Sequence, residues 1–336
     1  MPLWQSSPQL RELIDRKRAG LSPEQFVLKV SNAYHAAEAK TYDEQVRPDI
    51  AFRLAPLLDE FLTPDLVPGE ATALDYGCGT GLASELILQR YARRISRLVC
   101  SDLSPVMVEH CRANLSRYQN VSFVTGDFEA VKRLGLQFDL IVTCSVLHHI
   151  PDLPAVLLQI SDMLSRGGHY LAMHEPSARF DNAECLAAAK RCEGSMQRRS
   201  RLQWLDPRAY GRKVRNVWRR GSLRAIPIVD QVNAALREEG VVSELLTWEE
   251  LKSLVELNDP GEGNVGFDVQ SLRALMPELT LVHARHYGFL GDTDYRNVSS
   301  YWRRKDLELQ RRFPEEGANF CTLWRKPTSA TIRTKT

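Results

Sequence analysis

The chain has 336 residues, 43% of them hydrophobic, and 44 Lys and Arg against 42 Asp and Glu leave a formal net charge of +2. No apolar run is long enough for a membrane span, and Met1 to Gly20 is polar and charged, so neither a membrane protein nor a secretory leader is expected. Seven cysteines without a Cys-x-x-Cys pair exclude a disulfide framework, so reduced, buried thiols and a cytoplasmic location are the expectation.

Residues 1–65 read as helices, with Ser22-Pro23-Glu24 a good N-cap and first turn. Ser31 to Tyr42 is an alanine-rich helix carrying Tyr34 and His35. An apolar run from Ala71 to Leu74 then leads into Asp75-Tyr76-Gly77-Cys78-Gly79-Thr80-Gly81 and an amphipathic helix. Strand, glycine turn and helix let a ligand press on bare backbone at a helix N-terminus. A dinucleotide fingerprint needs glycine or alanine where Leu82 stands, and a Walker loop needs Gly-Lys-Ser/Thr; both fail. A glycine turn preceded by a carboxylate suits a cofactor with a cationic amino-acid end.

Arg97 to Asp102 reads as a second strand tipped by an acid that can accept both hydroxyls of a ribose. Ser104-Pro105 opens the next helix. Val121 to Val124 is a third strand running into Gly126-Asp127-Phe128, a carboxylate and ring suited to the edge and face of an adenine. Phe138 to Val142 is a fourth strand ending at Cys144-Ser145, and Arg166-Gly167-Gly168 turns the chain into a fifth, His169 to Met173. Alternating strands and helices of this length call for a parallel sheet covered on both faces.

The set LDYGCGTG, CSDLSP, GDF, FDLIVTCSVLHHI and LSRGGHYLAMHEP, over about residues 71–176, resembles the class I S-adenosylmethionine-dependent methyltransferases. The resemblance implies an α/β, doubly wound, mostly parallel seven-stranded sheet, closed by an antiparallel pair that Leu279 to Leu290 and Phe320 to Arg325 would supply. It implies S-adenosyl-L-methionine as cofactor, with Asp75, Gly77 and Gly79 at the methionine end, Asp102 on the ribose and Leu103 and Met107 flanking the adenine. Asp127 and Phe128 match the adenine-edge position, Ser145 the end of the fourth strand, and Tyr42-Asp43 a pair near the methionine end. Tyr76 departs from the smaller aliphatic residue usual there. The domain layout expected is 1–65 closing over the cofactor, 66–176 the core, 177–278 a helical lid, 279–326 the final pair and 327–336 a flexible tail.

Methyl transfer needs an aligned nucleophile and, for a hydroxyl, a base. The candidates are His148, favoured over His149, and His174-Glu175 at the end of the fifth strand. No metal site is expected: His283 and His286 fail the same-face parity of a strand, as do His169 and His174. The lid is polarised, with thirteen Lys/Arg against four Asp/Glu in Pro176–Ile226 and three against eleven in Pro227–Glu278. The bland reading is two halves paired by surface ion pairs; the sharper one is a basic mouth for an anionic or carrier-bound small molecule. A small-molecule O-methyltransferase of secondary metabolism is the expected activity, with nitrogen or carbon as other acceptor atoms. An RNA or protein methyltransferase using the arginine-rich half, with Trp204 and Trp218 interleaved, and a cofactor-binding protein without methyl transfer are the alternatives. Nucleic acid and membrane are not expected partners.

Overall fold

The computed structural model describes residues 7–203, 227–259, 266–291 and 294–328. Seven strands form one sheet in the order β3-β2-β1-β4-β5-β7-β6. They are β1 (Ala71–Tyr76), β2 (Ile95–Asp102), β3 (Val121–Thr125), β4 (Phe138–Cys144), β5 (Leu164–Pro176), β6 (Thr280–Tyr287) and β7 (Asn319–Arg325). The first five pair in parallel, and β7 runs antiparallel to both β5 and β6. The doubly wound sheet and its antiparallel close are therefore as the sequence implied. One boundary differs: Arg166-Gly167-Gly168 is a bulge inside β5 rather than a turn before it, since Phe138 pairs with Leu164 and Leu140 with His169.

The chain winds outward from β1 to β3, then returns to lay β4 on the other side of β1. Ligands of open α/β sheets lie where the strand order reverses, beyond the carboxyl ends of the strands. Asp75 sits at that point, in register with Cys100 of β2 and Val142 of β4. Alternate strand residues bury opposite faces. Ala73, Leu98 and Leu140 pack with α3 (Arg47–Phe61) and α4 (Leu82–Tyr91), while Leu74, Val99 and Ile141 pack with α6 (Phe128–Lys132) and α7 (Leu153–Met163). Ser22 caps α2 (Pro23–Gln45) in a capping box with Gln25, and Ser104 caps α5 (Pro105–Asn114), as their local sequence requires.

The expected single lid over 177–278 divides its described helices among three places. α8 (Ala183–Gln203) joins Phe289, Leu290 and, from α12 (Ser300–Arg312), Leu309 in one cluster. α9 (Ile228–Glu238) and α10 (Trp248–Val255) instead pack on α1 (Pro8–Lys17) and α2, through Val232, Leu236, Leu251 and Leu254 against Ile14, Phe26 and Val30. α11 (Val269–Leu275) places Leu272 on the sheet face beside α7. Apolar stripes decided this, and the charges followed. Glu250 pairs with Arg16 and Lys17, and Glu239 with Lys29, so these acidic residues face the N-terminal helices; Arg179–Asp268 joins the two halves. Seven of the thirteen basic residues of the first half, with Trp204 and Trp218, lie in 204–226, outside the described residues, as does 329–336 of the expected tail. No helix among the described residues is long and apolar enough to cross a membrane.

Because α2 is held from outside by α9 and α10, their shared core should carry stability. Leu251→Ala, at a position with 0% exposure, is expected to cost about 2–5 kcal/mol in urea unfolding. Leu245→Ala, 48% exposed in the same segment, should stay within about 0.5 kcal/mol. Equal effects would mean that α10 is not packed as described.

Candidate functional site

A cavity of about 780 Å³ opens at the strand carboxyl ends, walled by the glycine turn, β2, the loops after β4 and β5, α2 and the residues following α10. That volume is in the range of ligand sites. At one end β1 delivers Asp75, buried to 1% exposure. Its Oδ2 accepts from the backbone N and Oγ of Ser84 at 3.0 and 2.6 Å, while Oδ1 is buried with no hydrogen-bond partner. Burial first, with only partial relief from Ser84, pushes the Asp75 pKa up to about 7. A carboxylate with one oxygen unanswered at a cavity wall fits a cationic ligand group.

The turn beyond it needs glycine for two reasons. Gly77 has φ 68°, and a Cβ there would lie 2.5 Å from the Val146 side chain. Gly79 has φ 50°, and a Cβ would meet nothing within 4 Å, so its bare backbone faces open space. Its N donates to Asp102 Oδ2 at 2.9 Å, and Ser104 N donates to Oδ1 at 2.8 Å. Both Asp102 oxygens are thus aimed, each with a lone pair left over for a hydroxyl. Leu103 and Met107 line the cavity beside it, as does Tyr42 from α2, whose pKa burial raises.

The α2–α3 junction grips this turn from behind. Arg47 donates to Thr80 O at 2.9 Å and to Glu85 at 2.6 Å, and Asn114 bridges Thr80 O and Asp43. The carboxyl of Asp43 is buried in part, which opposes its charge, yet bonds from Thr80, Asn114 and Arg47 hold its pKa below the usual value.

Two residues expected at the adenine lie off the cavity wall. Asp127 Oδ1 caps α6, accepting from the N of Glu129 and Ala130, and the residue is exposed and absent from the cavity wall. Phe128 is 2% exposed and stacks on Tyr76 with centroids 3.8 Å apart, so Tyr76 lines the cavity and Phe128 backs it. The Gly-Asp-Phe sequence that suggested a ligand contact serves a helix start.

At the other end the chain leaves β4 through Ser145 (φ 56°) into a single turn, Leu147–His149. Ser145 lines the cavity, and its Oγ donates to His174 O. Glu175 does not line it. Fully buried, it accepts from Val146 N and Leu147 N through Oε1 and from His148 Nδ1, at 2.9 Å, through Oε2. Its place is to position the turn. His148 does line the cavity, with Nε2 3.3 Å from Glu256 Oε2. Burial opposes its charge, but the bond from Glu175 and the charges of Glu256, Glu175 and Asp259 outweigh it and raise its pKa. His149 is held below its usual value by burial and by His148, with Nδ1 on Val255 O. His174 also lines the cavity, yet burial, with Arg53 and His148, lowers its pKa to about 3. It is a neutral ring engaged with the Tyr287 hydroxyl.

Sequence reasoning missed what the fold brings from afar. Asn258 donates from its side chain to Leu147 O and Ile150 O and from its backbone to His148 O, clamping the histidine turn. Glu256 and Asp259 complete that wall, and His35, whose ring lies 5.0 Å from that of His149, faces them with Glu38 from α2. Burial works against the His35 charge, but Glu38 prevails and its pKa is raised. A spaced motif for these residues does not exist; only the amphipathic pattern of α10 hinted at where they would land. Among the described residues six carboxylates and no Lys or Arg line the cavity.

A family model described as a methyltransferase domain matches residues 73–168, the stretch from β1 into β5. A malonyl-[acyl-carrier protein] O-methyltransferase of Halalkalibacterium halodurans is 27% identical over 187 residues, covering 54% of this chain and 68% of that protein. A ubiquinone biosynthesis O-methyltransferase of Xanthomonas axonopodis pv. citri is 31% identical over 118 residues, 34% of this chain and 47% of that one. The chain thus spans about half to two thirds of the length of these curated relatives. The N-methyltransferase NodS of Bradyrhizobium japonicum WM9, solved with S-adenosyl-L-homocysteine, aligns with 88% of this chain and 99% of its own at 15% identity and a TM-score of 0.43. The matched domain, the acid-tipped first two strands and the glycine turn identify an enzyme that uses S-adenosylmethionine. The chain belongs to the class I S-adenosylmethionine-dependent methyltransferase superfamily.

Proposed function

We propose that this methyltransferase transfers the methyl group to a hydroxyl oxygen of a small molecule held at the His148 end of the cavity. One observation carries the reading: the same cavity runs from Asp75 and Gly79 to an imidazole whose Nδ1 is tied to a buried carboxylate. Because Glu175 accepts at Nδ1, the proton of neutral His148 stays on that nitrogen and Nε2 keeps its lone pair. A cofactor held by Asp75, Gly79 and Asp102 would supply its activated methyl to the acceptor oxygen and leave as the neutral thioether, while the hydroxyl proton would pass to His148 Nε2. Glu175 and Glu256 then stabilise the imidazolium. The names of the malonyl and ubiquinone relatives support oxygen as the acceptor atom. A carrier-bound acceptor is the second reading, favoured by the malonyl relative.

Incubation with deuterated-methyl cofactor and a panel of phenols, carboxylic acids and amines, read by mass spectrometry, tests this. Label on oxygen is the expected result; label on nitrogen or carbon alone overturns it. On an accepted hydroxyl, His148→Gln should lower kcat by roughly a hundredfold with cofactor affinity little changed.

The same reading puts the cofactor's ammonium at Asp75, and its pKa sets a sign. Above about pH 7 the free enzyme presents a carboxylate, and below it a neutral acid. S-adenosylhomocysteine, which carries the same ammonium, should therefore bind more weakly at pH 6 than at pH 8 by calorimetry. Asp75→Asn should flatten that difference and weaken binding at pH 8 by roughly ten- to a hundredfold, the worth of a hydrogen bond to a charged group. Wild-type affinity equal at both pH values would place the ammonium elsewhere.

A further inference from the structure

We infer that His148, His149 and Glu256 form a binding site for one divalent transition-metal ion of the zinc, cobalt or iron(II) kind, open toward the acceptor end of the cavity. One ligand atom from each of the three lies within 4.8 Å of the others. The distance between His148 Nε2 and Glu256 Oε2 is 3.3 Å. Neighbouring ligands around a tetrahedral ion with bonds of about 2.0–2.1 Å stand about 3.3 Å apart, so this pair already has the spacing required.

The second observation concerns the far nitrogens of both rings. His148 Nδ1 meets Glu175 Oε2 and His149 Nδ1 meets Val255 O, each at 2.9 Å. A carbonyl and a carboxylate only accept, so each Nδ1 carries the hydrogen and each neutral ring keeps its Nε2 lone pair for another partner. Metal-ligating histidines are oriented in this way, their second nitrogen held by a carboxylate or a backbone carbonyl. The supports are themselves fixed. Glu175 holds the start of the histidine turn and Asn258 its end, and Lys252 engages the other oxygen of Glu256, leaving Oε2 toward the rings. Two imidazoles and one carboxylate suit borderline ions rather than magnesium or calcium, which prefer oxygen sets.

The site rests on the reading given above, because it lies where that reading seats the acceptor. Three protein ligands leave a position for the acceptor's oxygen, and a bound cation lowers the pKa of such an oxygen. With the ion in place His148 Nε2 is a ligand and no longer the base: the cation lowers the pKa of the acceptor's hydroxyl, whose proton leaves to solvent water before the transfer. The expectation of no metal site took account of histidine spacing within strands and could not include Glu256.

The test uses the full chain, stripped with a chelator and titrated with cobalt(II). One equivalent should bind, with the visible bands of a four- or five-coordinate ion. His149→Ala and Glu256→Gln should each weaken binding at least tenfold, and Glu175→Gln, which removes the support rather than a ligand, about 10–100-fold. His283→Ala, on the exterior beside Glu60, should change nothing. A thermal shift with S-adenosylhomocysteine in each variant shows that the fold is kept. No stoichiometric binding by the wild type, or full binding by both ligand variants, overturns the site. Turnover by chelated protein reports on the methyl-transfer reading alone, so the two can fail separately.

Discussion

A carboxylate with no exposed surface, Glu175, is the constraint on which the acceptor end depends. Burying a charge is tolerable only where donors replace water, and here two backbone N–H groups and an imidazole do so. All three come from the loop leaving β4, whereas Glu175 ends β5. The bond set therefore converts the pairing of two neighbouring strands into the position and tautomer of one ring on the cavity wall. Ser145 and His174, both at positive φ, are the bends that allow the two chains to approach there.

Asp75 is the contrasting case. It is as deeply buried, but one of its oxygens has no partner, and burial, relieved only in part by Ser84, pushes its pKa up to about 7. The two carboxylates divide the labour of the cavity: one is satisfied by the protein and fixes geometry, the other is left for the ligand to satisfy. Tyr76, the residue that departs from the usual pattern, packs on Phe128 and presents its ring to the cavity, so the change is absorbed without disturbing the glycine turn.

What was legible in the sequence follows the range of the interactions. Strand, acid, glycine turn and capped helix are local, so Asp75, Asp102 and a parallel sheet could be read from the sequence pattern, whereas the antiparallel close was implied by the family resemblance. Asp127 shows the limit of that approach: an acid before an aromatic ring has two uses, and the helix N-cap took it. The charges of the insertion show a similar limit. Ion pairs form wherever apolar packing leaves charges side by side, and α10 packs on α2, so Glu250 pairs with Arg16 and Lys17 of α1. Glu256 and Asn258 were invisible because nothing local marks a residue whose partner is a turn formed by a different part of the chain.

The wall contributed by α2 has a consequence for how the molecule is assembled. Its outer supports come from α9 and α10, and the contacts between them span the chain, as in Arg16 with Glu250 and Lys17 with Leu245 O. Loops that long close at an entropic cost that must be met before the contact rewards it, whereas β1 to β5 gather neighbours in sequence. During synthesis from the N-terminus, the central sheet can therefore form while α1 and α2 still lack the surface they will pack against. The roof of the cavity is completed only after residue 258 has emerged, which makes the binding chamber a late product of folding built over an early one.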